Sequence, residues 1–160
     1  MWLAQNIVIL AALGTLIYVA WVDFREFKIR NNSILLLIIL YLLLTATNGF
    51  ANILSEISAG LLLGVMGIVF WLLRMMGAGD AKLYFPIGLL VGWNNLGPFV
   101  LLLILFSLIL YLVLKLPIPW YLQHFKMMMR VREIREGKVI PYGVPIAFAA
   151  IVVLGKRLLA

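Results

Sequence analysis

Apolar residues occur along this chain in six runs, separated by short segments of polar residues, glycine or proline. The runs are Ile7–Val22, Ser33–Ala46, Ile57–Leu73, Leu83–Trp93, Leu96–Leu114 and Val139–Leu154. Runs with almost no charge are typical of helices covered by lipid, where backbone polar groups must be paired within the helix. The pattern predicts an all-α, polytopic membrane protein with about six transmembrane helices. Several runs are short for a full crossing, so we expect flanking side chains to reach the interface.

The composition excludes a water-soluble domain. Of the 160 residues, 66% are hydrophobic and 12% are charged, which leaves too few charged side chains to cover a soluble surface. There is no cysteine, and the single His124 has no histidine partner, so we expect neither a metal site nor a cofactor. The chain shows no repeat or linker. It is therefore interpreted as one integral membrane domain over residues 1–160.

Basic residues are concentrated in three of the five connections between the runs. The first, third and fifth connections hold 11 of the 13 Lys and Arg residues, and the second and fourth hold none. The positive-inside rule then places these three connections in the cytoplasm and both termini outside. The net charge of +7 is interpreted as a signal of orientation and of attraction to anionic lipid, not of nucleic-acid binding. No Lys or Arg precedes the first run, so we expect it to stay as a helix and not to be cleaved as a signal peptide.

The fifth connection, residues 115–138, has a helical pattern of its own. It starts with prolines at positions 117 and 119, which end the preceding helix. Polar residues then follow helical spacing on one side, and apolar residues follow it on another: Gln123, Lys126, Arg130 and Glu133 against Met127, Val131 and Ile134. This predicts a cytoplasmic amphipathic helix before the last span, which either lies on anionic lipid or docks a substrate.

The chain contains two aspartates, Asp23 and Asp80, and the predicted topology puts both at cytoplasmic ends of spans. Asp23 follows the first run, and Asp80 ends the segment Gly77-Ala-Gly-Asp80 between the third and fourth runs. The glycines permit positive φ or close approach to a substrate backbone. Each aspartate also has a simpler interpretation. Asp23 would be a solvated flank paired with Arg25, and Asp80 would cap the fourth helix after the glycines end the third.

Two carboxyls at facing helix ends predict acid–base chemistry. Close approach raises the pKa of one carboxyl and lowers that of the other, so that the pair shares one proton at neutral pH. The ionised carboxyl can then remove a proton from water, while the protonated one donates to a scissile carbonyl oxygen. This favours an aspartic protease. A small proton-coupled transporter and a noncatalytic membrane scaffold are the alternatives.

Three blocks of sequence resemble the type IV prepilin peptidases, which are membrane aspartyl proteases of the Gly-x-Gly-Asp kind. Asp23, followed by Ile29 and Asn31, is similar to the family's Asp…Ile-Pro-Asn stretch, with Arg30 in place of the proline. Gly77-Ala-Gly-Asp80, followed by Lys82 and Leu83, is similar to the Gly-x-Gly-Asp-x-Lys-Leu signature. Pro141-Tyr-Gly143 is similar to the block that opens the family's last helix. The resemblance covers about Trp21 to Ala150.

The resemblance implies an endopeptidase in a bacterial or archaeal cell membrane. It would remove a short basic leader from type IV pilin-like precursors at the cytoplasmic face, after a glycine and before a hydrophobic helix. The chain lacks the cysteine-containing insertion of larger members, so it looks like the short, peptidase-only form, and no N-methyltransferase activity is expected.

The resemblance also implies roles for individual residues. Asp23 and Asp80 would be the catalytic pair, and Gly77 and Gly79 would shape the segment around the scissile bond. Secondary site residues would be Lys82, Asn31, Pro141, Tyr142 and Gly143. For these, simpler roles stay open: a lipid-headgroup anchor for Lys82, a helix cap for Asn31, and the start of the last helix for residues 141–143.

Overall fold

The fold is a bundle of six α-helices, seen in a computed structural model that describes residues 2–116 and 141–159. No strand occurs within these two ranges. The helices are α1 (Trp2–Glu26), α2 (Asn31–Thr47), α3 (Ile53–Leu72), α4 (Ala78–Val91), α5 (Leu96–Lys115) and α6 (Gly143–Leu159), with a 3-10 turn at Trp93–Asn95 before α5. The predicted all-α class is confirmed.

Each predicted apolar run coincides with one of these helices. Three helices of the described chain, α1, α3 and α5 (the last counted with its 3-10 turn), are long and apolar enough to cross a membrane. The shorter α2 is also apolar. Six crossings stay a prediction, and the predicted amphipathic helix lies outside the described residues.

Among the helix boundaries that differ from the sequence prediction, two involve an aspartate. The first apolar run ends at Val22, but α1 continues to Glu26 and includes Asp23. The fourth run starts at Leu83, but α4 begins at Ala78 and includes Asp80. Hydropathy marks only the apolar part of a helix, so polar residues in its terminal turns are left out of the run.

The central helix of the bundle is α4. It packs against α3, α2 and α6 and touches α5, and most of its residues are buried. Its 14 residues give a length of about 21 Å, which is short for a bilayer. Because neighbouring helices surround it, α4 has little contact with lipid and does not have to span the bilayer. Its first turn can therefore line a cavity within the protein.

Glycines bring α3 and α4 into close contact. A Cβ atom on Gly88 would lie 2.6 Å from the carbonyl oxygen of Ala59, and one on Gly67 would lie 2.7 Å from that of Ala81. Close backbone approach through small residues is a common way to pack helices in membranes. These contacts run antiparallel along the two helices, and they hold the first turn of α4 at a fixed position on α3.

The connection from α1 to α2 is short and folds over the start of α4. Phe27 has a left-handed φ of 53°, and its backbone N–H donates to the carbonyl oxygen of Asp23 at 2.9 Å, which ends α1. Arg30 is extended and precedes the first residue of α2. Between them, Ile29 packs against Gly79. The end of α1, this connection and the start of α4 therefore lie together at one end of the bundle.

Candidate active site

Asp23 lies in the last turns of α1, and its side chain is buried at 4% exposure. It is not the solvated flank that a charged residue after an apolar run would normally be. The backbone N–H groups of Gly143 and Val144, at the start of α6, lie beside its carboxyl. Even so, Oδ2 has no hydrogen-bond partner among the described residues. A buried carboxylate oxygen without a hydrogen-bond partner destabilises the fold. Such unpaired groups are found at active sites, where the side chain takes part in the reaction.

Asp80 lies in the first turn of α4 and is 8% exposed. Its Oδ2 accepts a hydrogen bond of 3.3 Å from the backbone N–H of Gly77, so the predicted capping role is present. Asp80 is outside the three candidate membrane spans. Burial, together with the nearby charge of Asp23, raises its pKa to about 7. A carboxyl with this pKa exchanges its proton near neutral pH, as an acid–base catalyst requires.

Both aspartates line one cavity of about 620 Å³ at this end of the bundle. Its other walls are the α1–α2 connection, including Phe27 and Ile29, and the segment from Gly77 to Gly79. The structure thus brings together two carboxyls that are 57 positions apart in the chain. The cavity is large enough for a short stretch of extended peptide and a water molecule.

The two glycines of the Gly-x-Gly-Asp segment matter because they leave room for neighbouring atoms, and not because they adopt a positive φ. Gly77 has φ of −70° and directly precedes α4, while Gly79 lies within its first turn. A Cβ on Gly79 would lie 3.2 Å from Cβ of Ile29, which is tighter than ordinary contact. Glycine here lets the α1–α2 connection pack directly on α4. The interpretation in which the glycines end the third helix is wrong, because α3 already ends at Leu72 and three of the four residues belong to α4.

Residues 141–143 lie at the same site, although they come from the far end of the chain. A Cβ on Gly143 would lie 2.7 Å from Oδ2 of Asp23, and the N–H of Gly143 also lies near the carboxyl of Asp80. Pro141 is fully buried, and Tyr142 packs against the hydrophobic core. The start of α6 therefore contributes backbone to the region between the two aspartates.

Lys82 and Asn31 meet at the edge of the cavity. Lys82 Nζ donates to Asn31 Oδ1 at 3.5 Å, and both side chains are exposed. Asn31 lines the cavity, whereas Lys82 lines a neighbouring groove. Asn31 is the first residue of α2, and no side-chain cap is present at this helix start. The pair links α2 to α4 beside the aspartates.

A family model described as the type IV leader peptidase family matches residues 10–116, which is about two thirds of the chain. The chain belongs to the type IV leader peptidase family. The matched range contains most of α1 and all of α2 to α5, and so both aspartates, but it ends before Pro141. Comparison with curated proteins and with solved structures gives no significant match. The family and the apolar helices together indicate a membrane-bound peptidase.

One residue of this leader peptidase site was missed in the sequence. Tyr84 is buried at 5% exposure, four residues after Asp80 on α4, and it lies near both Asp80 and Tyr142. The i, i+4 spacing puts it on the same face of the helix as Asp80. That signal was present in the sequence, but it is informative only once α4 is known to begin before Asp80.

The described part of this leader peptidase contains no group of three His, Cys, Asp or Glu side chains arranged to hold a metal ion. The polar groups near the two carboxyls include the N–H groups at the start of α6 and the Tyr84 hydroxyl. These groups can hold a proton and orient a water molecule between Asp23 and Asp80.

Proposed function

We propose that this leader peptidase is an aspartic endopeptidase that removes the basic leader from type IV pilin-like precursors, with Asp23 and Asp80 as its catalytic pair. The observation that carries the proposal is that both aspartates, from separate helices, line one cavity of about 620 Å³. The family membership supports the peptidase activity. The two buried carboxyls provide the acid and the base that peptide hydrolysis requires.

In the proposed mechanism, the pair holds one proton and one negative charge before reaction. The ionised carboxyl removes a proton from a water molecule between the aspartates, and the water oxygen attacks the scissile carbonyl carbon. The other carboxyl donates its proton to the carbonyl oxygen, which gives a neutral tetrahedral diol. Collapse of the diol returns one proton to a carboxylate and transfers another to the leaving nitrogen as the C–N bond breaks. No covalent enzyme intermediate forms.

The start of α6 supports this reaction by holding the pair in position. The N–H of Gly143 lies beside both carboxyls, so its dipole favours negative charge between them. A backbone group cannot take up a proton under these conditions. It therefore stabilises the charge of the pair without competing for the shared proton.

The proposed orientation places this site at the cytoplasmic face of a bacterial or archaeal membrane. Its support is the distribution of charge, since Arg25, Lys28 and Arg30 flank Asp23, and Arg74 and Lys82 flank Asp80. The basic fifth connection would bind anionic lipid on the same side. The absence of cysteine supports the peptidase-only form, without N-methyl transfer.

The test is to co-express pilin-like precursors with the wild type and with Asp23→Asn or Asp80→Asn, and to follow precursor size together with enzyme abundance. Asparagine has nearly the same volume but cannot exchange a proton, so both variants should lose processing. Glu26→Gln is the matched control, because Glu26 is an exposed acid at the same end of the bundle. Full processing by either aspartate variant at normal abundance would refute the two-aspartate mechanism.

A further inference from the structure

A second, apolar groove lies between α3 and α4, on the outside of the pair. Its volume is about 550 Å³. Lining residues include Leu61, Val65, Ile68 and Trp71 of α3 and Ala78 and Phe85 of α4. The four α3 side chains are 47–57% exposed and follow helical spacing along one face. They form a continuous apolar wall about 15 Å long.

This groove adjoins the cavity that holds the aspartates. Ala78 lines both, and it is two residues before Asp80. The pairing of α3 with α4 is antiparallel, since Gly67 meets Ala81 and Gly64 meets Phe85. The Trp71 end of the groove therefore lies next to the aspartates, and the Leu61 end lies about 15 Å farther along α3.

A competing groove lies between α1 and α2, and it shares Asn32 with the cavity. It is smaller, at about 430 Å³, and its lining includes the polar side chains of Thr15, Asn32 and Ser33. Thr15 Oγ1 already donates to the carbonyl oxygen of Ala11, but an apolar helix in this groove would face the exposed amide of Asn32 and could not pair with it. The α3–α4 groove presents almost no polar surface, so it is the better match for an apolar partner.

We propose that the α3–α4 groove binds the hydrophobic helix that follows the cleavage site of the precursor. This inference rests on the proposed function, because it assumes a precursor with a leader and an adjacent apolar helix. A helix that leaves the cavity at Ala78 enters the neighbouring groove. It runs parallel to α4 and antiparallel to α3, and its apolar side chains contact the exposed apolar wall of α3.

The proposed geometry sets a register between the two helices. Precursor residues just after the cleavage site contact Trp71 and Ile68. Residues about ten positions later contact Leu61, because ten residues of helix cover about 15 Å. Lys82, at the edge of the groove and bonded to Asn31, lies where the leader and the helix separate.

Disulfide crosslinking can test this register directly, since the chain has no cysteine of its own. The enzyme carries Val65→Cys together with Asp23→Asn, so that the precursor stays uncleaved. It is combined with precursors that each have a single cysteine at a different position of the apolar helix. Ile104→Cys on α5 is the matched control, with 59% exposure against 57% for Val65. We expect crosslinks from Val65→Cys and not from Ile104→Cys. When the cysteine is moved from Ile68 to Leu61, the precursor position that crosslinks most strongly should move about two helical turns farther from the cleavage site.

A kinetic comparison provides a second readout. Val65→Trp should raise KM for the full precursor on the order of tenfold, while cleavage of a short leader peptide that lacks the helix is unchanged. Ile104→Trp should behave as wild type with both substrates. The short peptide reports the catalytic pair alone, which separates docking from chemistry.

The outcomes distinguish this inference from the proposed function. If the wild type cleaves neither substrate, the proposed function fails and the groove has no role in it. If the wild type cleaves both, the docking proposal is overturned by equal crosslinking from Val65→Cys and Ile104→Cys, or by crosslinking from Gly14→Cys in the α1–α2 groove instead. Absence of any crosslink from Val65→Cys would assign the groove to lipid chains and overturn it as well.

Discussion

Gly143 at the start of α6 faces Asp23 so closely that a Cβ atom on it would lie 2.7 Å from Oδ2 and 2.9 Å from Cγ of the carboxyl. The same Cβ would lie 3.0 Å from Cδ1 of Ile29. A methyl group at this position has no room unless Asp23 moves. The side chain that must move is the one proposed to carry half of the catalytic chemistry.

Gly143→Ala is therefore expected to reduce precursor cleavage by roughly 100-fold or more, since displacing a catalytic group by about 1 Å has an effect of this order. The matched control is Gly155→Ala, in the same helix, where a Cβ would meet nothing within 4 Å. That variant should cleave at the wild-type rate and be slightly more stable. Normal turnover by Gly143→Ala, measured at equal enzyme abundance, would show that the start of α6 does not position Asp23.

The raised pKa of Asp80 predicts a pH-dependent difference in stability between the wild type and Asp80→Asn. A carboxyl with a folded-state pKa of about 7, against an ordinary 3.8, stabilises the fold fully below pH 3.8, and this contribution is lost as pH rises to about 7. Asparagine cannot ionise. The variant should therefore exceed the wild type in stability by an amount that grows with pH, by up to about 1.4 kcal/mol per unit between pH 4 and 7.

The measurement is the thermal unfolding midpoint of both proteins in detergent at pH 5, 6, 7 and 8. Glu26→Gln is the control, because Glu26 is exposed and its removal should not produce a difference that grows with pH. A gap between Asp80→Asn and the wild type that stays constant across this range would contradict a buried, protonated Asp80.

Much of the fold and part of the site could be predicted from the sequence, because both depend on local pattern. The six apolar runs predicted the positions of the six helices, and Asp23 and Asp80 stood out as rare charges at the ends of those runs. Two features could not be predicted this way. The burial of Asp23 depends on Gly143, which is 120 positions later in the chain. The close fit of Gly79 on Ile29 depends on how two helix ends meet, which no local pattern encodes.

The glycine contacts between α3 and α4 predict a strong effect on stability far from the chemistry. A Cβ on Gly88 would lie 2.6 Å from the carbonyl oxygen of Ala59 and 2.7 Å from the Cα of Gly60. Both are backbone atoms, so the helices must separate. Gly88→Ala should destabilise the protein by about 3 kcal/mol, at the upper end of the usual cost of overpacking. Gly97→Ala in α5, where a Cβ meets nothing within 4 Å, should leave the thermal midpoint in detergent within a degree or two of the wild type.

A buried polar cluster at the opposite end of the bundle predicts a loss of stability without a loss of chemistry. Thr45 Oγ1 donates to Glu56 Oε2 at 3.1 Å, and Glu56 is 8% exposed. Glu56 and Arg157 line one cavity of about 400 Å³ at this end, and Nη2 of Arg157 donates to the carbonyl oxygen of Val91 at 3.1 Å. The cluster thus connects α2, α3, α4 and α6 near the end of α4, about 17 Å of helix away from Asp80.

Glu56→Leu should destabilise the protein by about 1–3 kcal/mol, because the Thr45 hydroxyl loses its acceptor and the Arg157 guanidinium loses a nearby negative charge. Glu56→Gln keeps an acceptor oxygen for Thr45 and should cost less than half as much. Both variants should retain wild-type turnover per folded molecule at a temperature where each is fully folded. If turnover falls in Glu56→Leu while its abundance and thermal midpoint are normal, the two ends of the bundle are coupled, and the role of this cluster is not confined to stability.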